Sequence, residues 1–161
     1  MPRSAIVAVR AAALIAAALG IWRLSIAPYR AVHVELEVAQ RSTRAVDAAD
    51  PQRSAVLARE NIRELEHIAA ARRLEPSWYV LYAGNCELLE RWQEAVDVYT
   101  RALRIDQRPE LYFNRGLDHL RLGETDAAVA DIATAVRFNP YLVEHIDGEL
   151  RARVAAAAGL H

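Results

Sequence analysis

The sequence predicts an all-α protein, an N-terminal transmembrane helix followed by a short solenoid of helical hairpins. Three observations carry that prediction. About a fifth of the 161 residues are alanine, the strongest intrinsic helix former, against only six glycines and six prolines. That is too little turn chemistry for a sandwich of short strands. A run of apolar residues occupies positions 5–22. From Pro76 onward the chain repeats itself without a gap, Pro76 returning as Pro109.

The bulk composition, 53% hydrophobic and 25% charged with net charge -1, sets limits on function. A single cysteine leaves no internal disulfide framework and no cysteine zinc site. Near-neutral charge argues against a nucleic-acid partner. All 20 basic side chains are arginine. Arginine therefore serves every cationic position, and its use says little about partners.

The first element expected is a signal-anchor helix over residues 1–27. Residues 5–22 hold one charge, Arg10, and about 20 apolar residues span a bilayer. Arg10 is near one end and could snorkel, and Trp22 and Tyr29 suit an interface. A cleaved signal peptide would use Ser25-Ile26-Ala27, but Pro28 would follow the cut. A soluble helix would need a polar face, which residues 11–22 lack. The basic residues Arg3 and Arg10 nearly balance Arg23, Arg30, Arg41 and Arg44 across the span. A short basic N-terminus usually stays in the cytoplasm. The expectation is a single-pass protein of a bacterial inner membrane with its repeats in the periplasm, the opposite orientation remaining open.

Residues 28–50 form a linker or first helix. Pro28 should break the helix leaving the membrane. Val32, Val34, Leu36 and Val38 alternate with polar residues as in a strand, while Ala31, Val34, Val38 and Ala45 share a helical face. No partner strand is in sight, which favours helix. Residues 51–75 follow as a helix, with Asp50 as N-cap and Pro51 at its first position. Ala55, Ala58, Ile62, Leu65 and Ile68 line its apolar side.

The repeat itself covers 76–108 and 109–140. Adding the period takes Tyr79 to Tyr112, Ala83 to Gly116, Leu89 to Leu122, Ala95 to Ala128 and Ala102 to Ala135. A two-helix unit of this length is a solenoid signature. The second copy has Tyr112, the Arg115-Gly116 pair, His119, a Leu122-Gly123-Glu124 turn, Ala128, Ile132, Ala135 and a closing Asn139-Pro140. The first has Tyr79, Tyr82, Ala83, Trp92, Ala95, Tyr99 and Ala102, but Glu90 where the turn glycine belongs. The pattern resembles the tetratricopeptide repeat (TPR). Small residues let the two helices of a unit cross closely, and large ones fill the space between. Two copies bury too little core alone. The 51–75 segment resembles the second helix of a degenerate earlier repeat. Residues 141–161 read as a capping helix, with Leu142, Ile146, Leu150 and Val154 four apart.

Nothing in the chain points to catalysis. No HExxH, no i, i+4 histidine pair, no phosphate loop and no nucleophile elbow is present. No catalytic residue, cofactor, metal or small-molecule substrate is expected. His119 reads as a packed, hydrogen-bonded core histidine and Cys86, its counterpart in the first copy, as a small buried hydrophobe. The resemblance implies instead a concave groove lined by the first helix of each unit, holding a partner's peptide or helix. By position it implies Val80, Leu81 and Leu88 from the first copy, with Ser77 and Gly84 beside them. From the second copy it implies Glu110, Phe113, Asn114, Leu117 and Arg121. Only Asn114 and Arg121 could clamp a terminal carboxylate, so the contact expected is apolar. The function expected is a non-catalytic, membrane-anchored adaptor with a membrane-associated protein partner. The alternative is an accessory subunit of an integral membrane complex, held partly by its transmembrane helix, whose Ala13, Ala16, Ala17 and Gly20 would allow close helix contact.

Overall fold

The computed structural model describes residues 14–20, 22–72, 75–146 and 148–160. Among these residues the regular structure is entirely helical, so the protein is all-α. Residues 14–20 are helical, and a π-helical turn, Trp22–Ile26, leads into α1 (Ala27–Val46). Next come α2 (Pro51–Arg72), α3 (Pro76–Glu87), α4 (Trp92–Ala102), α5 (Pro109–Arg121) and α6 (Thr125–Phe138). A 3-10 turn, Pro140–His145, then precedes α7 (Gly148–Ala158).

Local chemistry explains where the helices start and stop. Prolines open α2, α3 and α5, where a missing N–H costs no intrahelical bond. Pro28 likewise sits in the first turn of α1. Asp50 accepts a hydrogen bond from the Gln52 N–H at 2.9 Å, capping α2. The ends of α3 and α5 follow one pattern. The Arg91 N–H reaches the Cys86 carbonyl at 2.9 Å and the Glu124 N–H reaches that of His119 at 2.8 Å. Inside each closure one residue is left-handed, Gly123 at φ 77° and Glu90 at φ 56°. This is the Schellman ending, which glycine favours because a Cβ is penalised there.

Each helix packs on the next, giving three successive hairpins, α1/α2, α3/α4 and α5/α6, capped by α7 on α6. Helix α1 also reaches α3. The crossings are made by small residues. Ala31, Ala45, Ala58, Ala83, Ala95, Ala102, Ala128 and Ala135 are all at most 2% exposed. A Cβ on Gly116 would stand 2.6 Å from Ile132 Cγ1 and 3.2 Å from the Ala128 carbonyl oxygen. One core joins Val38, Ile62, Leu65, Tyr99 and Leu111, and a second joins Ile132, Val136, Ile146 and Val154.

Buried polar groups tie the hairpins together. Asn61 Nδ2 donates to Asn85 Oδ1 at 2.8 Å, and Asn85 Nδ2 donates to Ser42 Oγ at 2.9 Å. Arg72 Nε meets Glu35 Oε2 at 2.5 Å, linking α1 to the end of α2. Arg115 forms a two-pronged pair with Asp131, at 2.6 and 2.7 Å, and donates to Thr100 Oγ1 at 3.0 Å. Such forked arginine contacts fix orientation as well as charge.

Two expectations are corrected here. The single-pass membrane location, with a span over 5–22, is not supported: among the described residues no helix is long and apolar enough to cross a membrane. The longest helices carry too much charge, α1 holding Arg30, Glu35, Glu37, Arg41 and Arg44. Residues 5–13 and 21 of the expected span lie outside the described residues. The second correction concerns 141–161. Its apolar positions do pack on α6, with Ile146 and Val154 buried and Leu142 and Leu150 beside them. They do so from two elements, since Ile146 is extended at φ -125° and Gly148 is left-handed at φ 59°. The 31–50 stretch, readable either way, is helical through Val46 with Ala31, Val38 and Ala45 inward.

Candidate partner-binding groove

A groove of about 410 Å³ runs across the first helices of the three hairpins. Helix α1 contributes Ser42 and Val46. Helix α3 contributes Val80, Leu81, Gly84, Asn85 and Glu87, with Leu88 just past its end. Leu117, Asp118 and Arg121 come from α5, and Trp92 from the start of α4. The spacing explains the lining: 81, 84, 85 and 88 recur every three or four residues, one stripe of a helix. Apart from Trp92, no residue of a second helix lines the groove.

The rim is apolar and the floor is acidic. Val46 is 68% exposed and Leu117 37%. Asn85 and Asp118 lie beneath, at 1% and 2%. The Asn85 amide is fully engaged, by Ser42, Asn61 and the Leu81 carbonyl at 2.7 Å. Asp118 differs, because its buried Oδ2 has no hydrogen-bond partner. Burial, followed by the charge of Glu87, pushes the Asp118 carboxyl up to about 7, with Arg121 acting in the other direction. Burial also raises the Glu87 carboxyl, opposed by the hydrogen bond that Tyr99 donates to it at 2.8 Å; removal from water is the larger influence. At the rim Arg121 lies over the Trp92 ring, 5.7 Å from its centroid, a favourable cation–π arrangement.

Of the residues the sequence nominated, Val80, Leu81, Leu88, Leu117 and Arg121 line this groove. Glu110 is exposed on α5 and outside it. Phe113 packs against the second core, edge-on to His145 at 6.4 Å. Asn114 hydrogen-bonds the Tyr99 hydroxyl. Sequence reasoning missed Ser42, Val46, Asn85, Glu87, Trp92 and Asp118. For Asp118 a signal existed: one period before it stands Asn85, so a charge occupies a position whose counterpart is a neutral amide. For Ser42 and Val46 there was none, because nothing local places α1 against α3.

The remaining chemistry is quiet. Cys86 is fully buried, and burial pushes its thiol up to about 12, far from the thiolate that reactivity requires. His119 is half-buried with Nδ1 2.6 Å from Glu124 Oε2. Among the described residues no group of three or more histidine, cysteine or acidic side chains is placed to hold a metal.

Comparison with known proteins adds one partial likeness. Over 58 residues the chain is 40% identical to a serine/threonine-protein phosphatase T of Trypanosoma brucei brucei (strain 927/4 GUTat10.1). That stretch is 35% of this chain and 12% of the phosphatase, so the chain spans about an eighth of that protein. No family model matches, and no solved structure matches.

Proposed function

We propose that this protein is a non-catalytic adaptor of the tetratricopeptide type, which binds a protein partner along the groove of its first helices. The observation that carries this reading is the groove itself, with an apolar rim drawn from three successive hairpins. The 33-residue period and the alanine crossings support the repeat type. Exposed apolar residues grouped in one concavity commonly mark an interface. A repeat stack gives such an interface rigidity, since each hairpin is held by its neighbours.

Site-specific photocrosslinking in the source cells tests the reading. A photoreactive side chain at Leu117 or Leu88, inside the groove, should yield a defined protein adduct. The same group at Gln93, exposed on α4, should not. Equal adducts from both faces, or none from the groove, would sink the proposal.

A further inference from the structure

The geometry points to a basic partner: we infer that the groove receives a peptide segment whose lysine or arginine meets Asp118 and Glu87, with aliphatic neighbours on Val80, Leu88 and Leu117. This rests on the groove reading above and names the chemistry of its occupant.

The first observation is Asp118. It is 2% exposed, lines the groove and leaves Oδ2 without a hydrogen bond. Buried polar atoms are nearly always satisfied, and leaving one unpaired costs about 1–3 kcal/mol. The fold does not require an acid there, because the same position one repeat earlier is Asn85, neutral and satisfied. The second observation is the charge next to it. Glu87 adds a second carboxyl to the floor, and its charge acts against that of Asp118. Tyr99 occupies Glu87 Oε1 from behind, which orients that carboxyl.

The protein's own cation does not complete the site. The charge of Arg121 acts on Asp118, but its guanidinium lies over Trp92 and Asp118 Oδ2 has no hydrogen bond. What would complete the site is a hydrogen-bond donor carrying positive charge. Beneath an apolar rim such a contact is stronger than in water, because the effective dielectric is lower. A peptide fits better than a small cation, since the groove crosses three helices and its rim is apolar. At its centre Gly84 bares the backbone of α3, and a Cβ there would meet nothing within 4 Å. A chain can therefore lie close to α3 with one basic side chain over Asp118 and Glu87.

The test is selection of a random peptide display library on the full chain, on Asp118→Asn and on Gly84→Trp. Asp118→Asn copies the amide of the earlier repeat, and Gly84→Trp fills open space, so both should fold, as circular dichroism will check. Wild type should enrich peptides with one lysine or arginine among aliphatic residues. Their affinity should fall roughly thirtyfold in Asp118→Asn, the size expected for losing one partner of a buried charge pair, and be lost in Gly84→Trp. Peptides that are blocked by Gly84→Trp but show no basic preference would overturn this inference and leave the groove reading standing. Failure to enrich any groove-dependent peptide would overturn both. Sedimentation of the chain alone covers another occupant: self-association abolished by Asp118→Asn would make a second copy, not a peptide, the ligand.

Discussion

The copy at 76–108 and the copy at 109–140 share a frame but use their polar residues differently. Both have small residues at the crossings and the same Schellman ending. In the first, Tyr82 reaches Glu66 and Glu94 through its hydroxyl, and Asn85 is held by Ser42 and Asn61 of the preceding hairpin. In the second, the position of Tyr82 is Arg115, paired with Asp131, and the position of Asn85 is Asp118, with an open oxygen. The difference lies in what the preceding hairpin offers. Hairpin α1/α2 gives Asn85 two neutral partners, whereas α3/α4 gives Asp118 another acid, Glu87. A repeat frame thus fixes which positions are buried but not whether they are satisfied. An unsatisfied one is where a ligand has something to contribute.

The largest effect should come from the Arg115–Asp131 pair, which is mostly buried. Arg115→Ala should cost about 3–5 kcal/mol, because it leaves Asp131 charged and buried. The double change Arg115→Tyr with Asp131→Val installs the residues of the first copy at those positions. It should recover part of that loss in urea denaturation. A double variant no more stable than Arg115→Ala would mean that the two copies are not interchangeable at this layer.

Asp118→Asn should act in the opposite direction. The folded carboxyl titrates near 7, against about 4 when unfolded. The native state therefore holds the proton more tightly between these values. The contribution of this group to stability is favourable below about pH 4 and is lost as pH rises through about 7. Asp118→Asn should remove that fall, so its stability relative to wild type should rise from mildly acidic to mildly alkaline pH. Denaturant melts of both proteins at mildly acidic and mildly alkaline pH measure it; an equal difference under the two conditions would contradict the assignment.

The smallest effect concerns the turns. Glu90 takes the left-handed conformation that Gly123 takes one period later. Glu90→Gly should relieve strain and raise stability by about 1 kcal/mol. A thermal midpoint that stays unchanged or falls would show that the first copy already compensates for its missing glycine.

Much of the fold was legible in advance because it depends on short-range features. The prolines that open helices, the alanines at crossings and the left-handed turn each declare themselves within one period. The helical state of α1 was less legible, since its residues alternate as a strand would until α2 and α3 give Ala31, Val38 and Ala45 something to pack against. Phe113 misled for a related reason. Its place on α5 suits a groove, but the C-terminal segment folds back beside it, and the second core takes it.

What the sequence determined by itself is the helical class and the 33-residue frame, because propensity and small-residue spacing act locally. Only the tertiary structure decided which buried polar groups find partners. Asn85 and Asp118 have the same address in the repeat. The distinction between them comes from Asn61 and Ser42, 24 and 43 positions before Asn85, and from Glu87 on the helix beside Asp118. Satisfaction of a buried group depends on the atoms brought against it, and no local pattern specifies those.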